Sequence, residues 1–218
     1  VAEGSISISI DDFDGRLQLN KLVDPQGNPN LLTRGRFVRL CTELELDNPE
    51  WLADALIDWL DPDQLPSPAG AEDSDYLRER PAYEATDGPL HDLDELLLVR
   101  GFSDDVVELL RPHVSVFGSN KLNVNTASAE VLRSWDEDGR SAVENLLSSR
   151  SDKPFQTLDE LRDSIGLDAF TALNRNLDLT VSSNYYLISS QGRVNNGSRR
   201  LQAVVDKKTD NLLWQKVN

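Results

Sequence analysis

Ser5-Ile6-Ser7-Ile8-Ser9-Ile10 alternates hydroxyl and aliphatic side chains with a period of two, the signature of a strand with one apolar face. The far end of the chain carries the same period. Tyr185, Leu187 and Ser189 alternate against Tyr186, Ile188 and Ser190, Asn196-Gly197 predicts a type I′ hairpin turn, and Leu201, Ala203 and Val205 supply a returning strand. Lys208-Thr209-Asp210-Asn211 then reads as a turn before a last strand from Leu212 to Val217. Strands at both ends around a helical middle predict an α+β fold in which the end segments share one sheet. The predicted sheet domain comprises residues 1–28 and 178–218, and residues 29–177 form an inserted α-domain. Nearer the first strand, Arg16-Leu17-Gln18-Leu19-Asn20 repeats the alternation after Asp14-Gly15, which predicts a hairpin with residues 5–10.

The middle of the chain changes to a helical period. Leu31, Leu32, Phe37, Val38, Leu40, Cys41 and Leu44 form one stripe. Asn48-Pro49-Glu50 opens a second, carrying Trp51, Leu52, Ala55, Leu56, Trp59 and Leu60 as expected core residues and stopping by Pro62. A third helix is expected from Asn125-Thr126-Ala127-Ser128-Ala129-Glu130, with Thr126 or Ser128 as cap and Val131, Leu132 and Trp135 buried. Leu93-Asp94-Glu95-Leu96 followed by Gly101-Phe102 is echoed by Leu158-Asp159-Glu160-Leu161 followed by Gly166-Leu167. The echo predicts two helix, Gly-turn, helix units, with Asp104 and Asp168 capping the second helices.

Composition narrows the function classes. The 218 residues include 38 acidic and 22 basic side chains, for a formal charge of -16, with one Cys, two His and no Met. Lone Cys41 excludes an internal disulfide and any Cys-rich zinc module, and with no basic neighbour to make a thiolate it is expected to be buried and inert. Two His, at 91 and 113, are too few for a His-rich transition-metal site and receive no role. The carboxylate excess repels phosphate backbones and favours hard cations or basic partners. It is also segregated: residues 61–108 hold 14 Asp or Glu and 3 Arg, whereas residues 181–218 hold 6 Lys or Arg and 2 Asp. No apolar run reaches the 18 or so residues of a membrane helix. A start without Met, directly onto a strand, is expected of a fragment trimmed upstream.

From Asp61 to Gly88 the chain is rich in Pro, Gly, Asp and Glu, a length that a compact domain tolerates only when something ties it down. Asp61, Asp63, Glu72, Asp73 and Asp75 are the candidate ligands for one Ca2+, since carboxylates from two short clusters can meet around a single ion if the loop folds back. The alternative for the same residues is a solvated acidic loop. The order of ligands is not that of an EF-hand, which needs a third oxygen ligand and a central Gly after Asp61-Pro62-Asp63. Asp58 reads as a polar residue of the preceding helix. Paired carboxylates could also serve as a hydrolytic acid and base, but such a pair needs a concave site, and the chain has no nucleophile elbow, zinc helix, Walker loop or dinucleotide fingerprint. An enzyme, with an acidic-site glycosidase as its nearest form, is the weakest of the readings.

Lys121-Leu122-Asn123-Val124-Asn125-Thr126-Ala127-Ser128 resembles two families. One is the helix-hairpin-helix DNA-binding modules of competence proteins, whose Gly-rich hairpins hold phosphate on backbone amides. Here the matching turns read Asp136-Glu137-Asp138-Gly139 and Ser164-Ile165-Gly166-Leu167-Asp168, and acidic residues at such a turn oppose anion binding. A helix-hairpin-helix nucleic-acid binder is therefore the alternative reading. The other resemblance covers nearly the whole chain. Asp14-Gly15-Arg16-Leu17-Gln18-Leu19-Asn20, Asp58-Trp59-Leu60-Asp61-Pro62-Asp63, Gly70-Ala71-Glu72-Asp73-Ser74-Asp75-Tyr76, Glu95-Leu96-Leu97-Leu98-Val99-Arg100-Gly101-Phe102 and the Asn-Val-Asn-Thr-Ala-Ser run are similar, in order, to the K-class minor pseudopilins of the type II secretion system. That resemblance implies a pseudopilin-like antiparallel sheet formed by both chain ends, with an inserted α-helical domain containing helix-hairpin-helix or SAM-like lobes, and calcium held by the Asp61 to Asp75 loop. It further implies a non-enzymatic periplasmic domain of a Gram-negative inner-membrane protein, joined to the membrane by an N-terminal helix absent from this chain. I-class and J-class minor pseudopilins are the implied partners at the tip of the pseudopilus.

Overall fold

A computed structural model of the chain describes residues 4–195 and 197–217. The first strand, β1 (Gly4–Asp12), has its partner at the other end of the sequence. Three two-residue strands lie in the middle: β2 (Leu17–Gln18), β3 (Val114–Ser115) and β4 (Leu122–Asn123), followed by β5 (Leu179–Thr180). The long C-terminal strands are β6 (Tyr185–Val194), β7 (Gly197–Asp206) and β8 (Asn211–Val217). They form one antiparallel sheet in the order β1-β6-β7-β8, with Asp12 opposite Tyr186 and Gly4 opposite Val194. Both chain ends thus build one sheet, as the shared period of two predicts.

The expected hairpin between residues 5–10 and 16–20 does not form. Leu17 and Gln18 pair instead in parallel with Val114 and Ser115, and Leu19–Lys21 is a 3-10 turn. The alternation there has another cause: Leu17, Leu19 and Leu22 all enter the helical core. Of the expected Asn196-Gly197 turn, Asn196 lies outside the described residues; Gly197 belongs to β7 and pairs with Val194, and Asn195 has a φ of 52°.

Between Asp12 and Tyr185 the chain makes an insertion built mainly of helices: α1 (Leu31–Glu43), α2 (Pro49–Leu60), α3 (Asp73–Tyr76), α4 (Asp104–Leu110), α5 (Ala129–Trp135), α6 (Val143–Asp152), α7 (Leu158–Ile165) and α8 (Leu167–Leu173). Pro49 opens α2 as predicted, and Ser128 caps α5 by accepting from the Val131 N–H. Of the two echo units, the second is α7, Gly166 and α8; in the first, the arm before Gly101 is a 3-10 segment, Leu93–Leu98. Gly101 and Gly166 have φ of 88° and 84°, which explains the residue at both turns. The expected Asp caps are corrected: Ser103 caps α4 and Gly166 precedes α8, while Asp104 and Asp168 sit in the first turns, where a negative charge still meets the positive helix end.

Phe37, Leu40, Leu56, Trp59, Leu96, Leu110, Leu132 and Leu161 share one buried cluster. Each such side chain contributes about 1.5–3 kcal/mol by leaving water. Cys41 is buried in it, and desolvation pushes its thiol up to about 12, so it is an inert core residue. Trp51, expected in the same stripe, is 62% exposed at the start of α2, while Leu52 beside it fills the core position. At the base of the insertion Asp14 is buried and accepts from the N–H groups of Ser119 (2.8 Å) and Asn184 (2.7 Å). Thr126 donates to Asp12, and Asn123 donates to Asp12 and, at 2.7 Å, to Ser183. A Cβ on Gly15 would stand 2.6 Å from Thr126 Oγ1. The Asp14-Gly15 and Asn-Val-Asn-Thr motifs therefore clasp the strand ends to the helices.

Candidate metal centre

The last turn of α2 begins the site. Asp58 is fully buried and accepts from Ser67 N–H on both carboxylate oxygens, at 3.2 and 3.0 Å, which folds the chain back over the helix end. Gly70 is required beside it: a Cβ there would lie 1.7 Å from Asp58 Oδ2. Trp59 packs edge-on against Tyr76 and Tyr83, with ring centroids 5.1 and 6.2 Å away, and pins the return strand of the loop.

This folding brings Asp61, Asp63 and Glu72 together, each offering a carboxylate oxygen within 4.8 Å of the other two. Asp61 is 4% and Glu72 2% exposed, while Asp63 stands at the surface. Asp61 receives Asp63 N–H at 3.3 Å, and Asp63 receives Leu65 N–H at 2.7 Å. Both carboxylate oxygens of Glu72 are buried without a hydrogen-bond partner, and no ion pair among the described residues involves the trio. Burial, then repulsion among neighbouring carboxylates, raises Asp61 to about 6 and Glu72 to about 8; burial also raises Asp58.

Asp73 and Asp75 turn elsewhere. Asp73 Oδ1 accepts Ala85 N–H at 2.8 Å, tying down the far side of the loop. Asp75 accepts Glu72 N–H at 3.4 Å and pairs with Arg78 at 3.2 Å and Arg100 at 3.8 Å. Of the five expected ligands, three converge and two brace the turn that delivers Glu72. Sequence reasoning passed over Asp87, whose charge contributes to the raised values of Asp61 and Glu72 and which accepts from Gln64 at 3.4 Å. Its only signal was the Asp87-Gly88 pair closing the acidic stretch.

Three convergent carboxylates, one wholly buried and unpartnered, suit a hard cation with oxygen ligands. The trio lacks the soft donors that zinc or copper would select, since it contains neither His nor Cys. A hydrolytic acid-base pair is a poorer match, because two of the three carboxylates, Asp61 and Glu72, are shut away from solvent.

Two family models, both described as type II secretion system (T2SS), protein K, match residues 15–119 and 122–180. The type II secretion system protein K of Pseudomonas aeruginosa is 34% identical over 200 residues, covering 90% of this chain and 59% of that protein. The protein K of Aeromonas hydrophila is 31% identical over 187 residues, covering 81% of this chain and 56% of that protein. The chain thus spans little more than half the length of these relatives. In the GspK-GspI-GspJ complex from the enterotoxigenic Escherichia coli type 2 secretion system, one chain has the same fold, with a TM-score of 0.73 at 22% identity over 100% of this chain and 81% of that one. No helix among the described residues is long and apolar enough to cross a membrane.

Proposed function

The chain belongs to the type II secretion system protein K family, and from that premise we propose that it is the globular part of a minor pseudopilin that caps the secretion pseudopilus. The supporting observation is architectural. The chain leaves the sheet after Asp12 and returns at Tyr185, on paired strands, so the helical insertion stands at one end of the sheet. A fibre grows by stacking subunits, and such bulk obstructs a subunit above it, which gives a heterologous assembly a defined end. In this reading I-class and J-class minor pseudopilins are the partners below, a reading supported by the structural relative, which is a complex of GspK with GspI and GspJ. An N-terminal membrane helix would precede the sheet and place the domain in the periplasm. The helix-hairpin-helix nucleic-acid reading is not favoured, and the role is assembly, not catalysis.

Ca2+ fits the loop: Asp61, Asp63 and Glu72 would hold it, with Asp87 close by and Asp73 and Asp75 shaping the turn. When bound, the cation supplies two positive charges against the three carboxylates and staples residues 61–72. The test of the function is co-elution of this domain with purified I- and J-class partners on gel filtration. A stable ternary peak is expected; three separate peaks at micromolar concentrations would remove the proposal.

A further inference from the structure

Carboxylates are abundant in this chain, yet one end of the sheet has none among the described residues, Glu3 lying just before them in sequence. Residues 4–10 and 179–205 contain no Asp or Glu, against 38 in the whole sequence, and they do contain Arg193, Arg199 and Arg200. The fold gathers these stretches. Gly4 pairs with Val194 and Val194 with Gly197, so the start of β1 and the β6–β7 turn form one end of the sheet, opposite the insertion. All three arginines are exposed there, and no ion pair among the described residues involves them. Arg193 and Arg200 lie on one face, and Arg199 lies on the other, in register with Gly192 and Ile6. Exposed Ile6, Ile8, Val194 and Leu201 lie on the Arg199 face. This end of the sheet is cationic on both faces and apolar on one.

We propose that this end of the sheet docks on anionic phospholipid headgroups. The orientation rests on the membrane-anchored reading above: Gly4 lies opposite Val194, at the arginine end, so a membrane helix preceding the sheet would hold that end, and not the insertion, toward the bilayer. The net charge of -16 does not prevent it. In register Asp11, Asp12 and Asp206 stand level with Leu187, Tyr186 and Tyr185 and the arginines level with residues 191–193, four to eight steps away, or about 13–26 Å at about 3.3 Å per residue. That is about one to three Debye lengths at 0.1 M salt, where their repulsion is weakened by screening, and the nearer Asp92 and Asp94 are paired with Lys216. The arginines at the tip act at contact distance. Each basic residue at an anionic surface adds about fivefold in partitioning, so three add on the order of a hundredfold at most. That is weak for a free domain and sufficient for a tethered one, whose local concentration is set by its tether.

The test is flotation of the soluble domain with vesicles of phosphatidylcholine alone or with about one-third phosphatidylglycerol. Binding to the anionic vesicles only is expected, falling tenfold or more in Arg193→Gln/Arg199→Gln/Arg200→Gln, unchanged in Lys207→Gln/Lys208→Gln at the opposite end, and lost at about 0.5 M salt. The three arginines are exposed, so the substitutions are expected to spare folding, and an unchanged melting temperature checks this. Absence of anionic binding, equal binding to neutral vesicles, or full binding by the triple variant overturns the proposal. So does loss of I- or J-class partner binding by the triple variant with vesicle binding intact, which would assign the patch to neighbouring subunits. Failure on vesicles leaves the anchoring itself standing, since that is read from membrane fractionation of the full-length protein.

Discussion

Glu72 concentrates the chemistry of the loop in one side chain. Its two oxygens have lost water and gained no donor, and its neighbours Asp58, Asp61 and Asp63 carry its own sign. The folded protein binds the Glu72 proton more tightly than the unfolded chain, from about 4.5 up to about 8, and Asp61 does the same from 3.8 to about 6. Stability from such groups is fully present below the unfolded value and is lost as pH rises through the folded one. Without metal, the urea midpoint should therefore fall between pH 5 and pH 8. With millimolar calcium the slope should reverse, because the cation displaces those protons and binds better as pH rises. At pH 7.5, calcium at about a hundred times its dissociation constant should add about 2.7 kcal/mol, or about 5–10 °C in melting temperature. Glu72→Gln should melt higher than the parent in chelator and lose most of the calcium shift. A parent protein whose melts in calcium and in chelator coincide would remove the metal from the proposal.

At the level of elements, the acidic loop is positioned by groups that bind no ion. Gly70 lets the backbone pass Asp58, Asp73 holds Ala85, and Trp59 holds Tyr76 and Tyr83. Gly70→Ala should cost about 2–4 kcal/mol, because its methyl would have to displace a buried carboxylate and its Ser67 hydrogen bonds. Urea unfolding in chelator isolates that cost from any metal effect, and a change below about 0.5 kcal/mol would show that the loop gives way freely. The same contrast explains what the sequence could and could not disclose. Helices α1, α2 and α5 announce themselves through local spacing and, for α2 and α5, through Pro49 and Ser128. The apolar period of Leu17 and Leu19 is equally clear but ambiguous, since core-facing residues on a short strand and a 3-10 turn imitate a hairpin arm. Strand β1 pairs with residues more than 170 positions away, a choice that no local pattern encodes. Composition found the acidic loop, but Asp73 and Asp75 part from Glu72 through bonds to Ala85, Arg78 and Arg100, and Asp87 joins from outside the cluster.

Over the whole molecule, sheet and insertion meet through contacts of several kinds. Asp14 clasps the strand ends, Lys216 on β8 reaches Asp92 at 3.3 Å and Asp94 at 3.2 Å, and Phe117 lies 6.5 Å from Trp214. These struts hold the insertion at a set angle above the sheet, as a subunit that ends a fibre by obstruction needs. The obstruction idea makes a separable prediction, because Asp12 and Tyr186 are paired neighbours and the gap left by removing residues 14–184 can be closed with a two-residue Asn-Gly turn. In the full-length protein this deletion should retain most I- and J-class partner binding, measured by co-purification, while tip placement and export fall by tenfold or more. Partner binding doubles as the control for folding of the remaining sheet, whose Val204 and Trp214 would lose their cover. A deletion that binds its partners and still supports normal tip assembly and secretion would show that bulk above the sheet is not what ends the fibre.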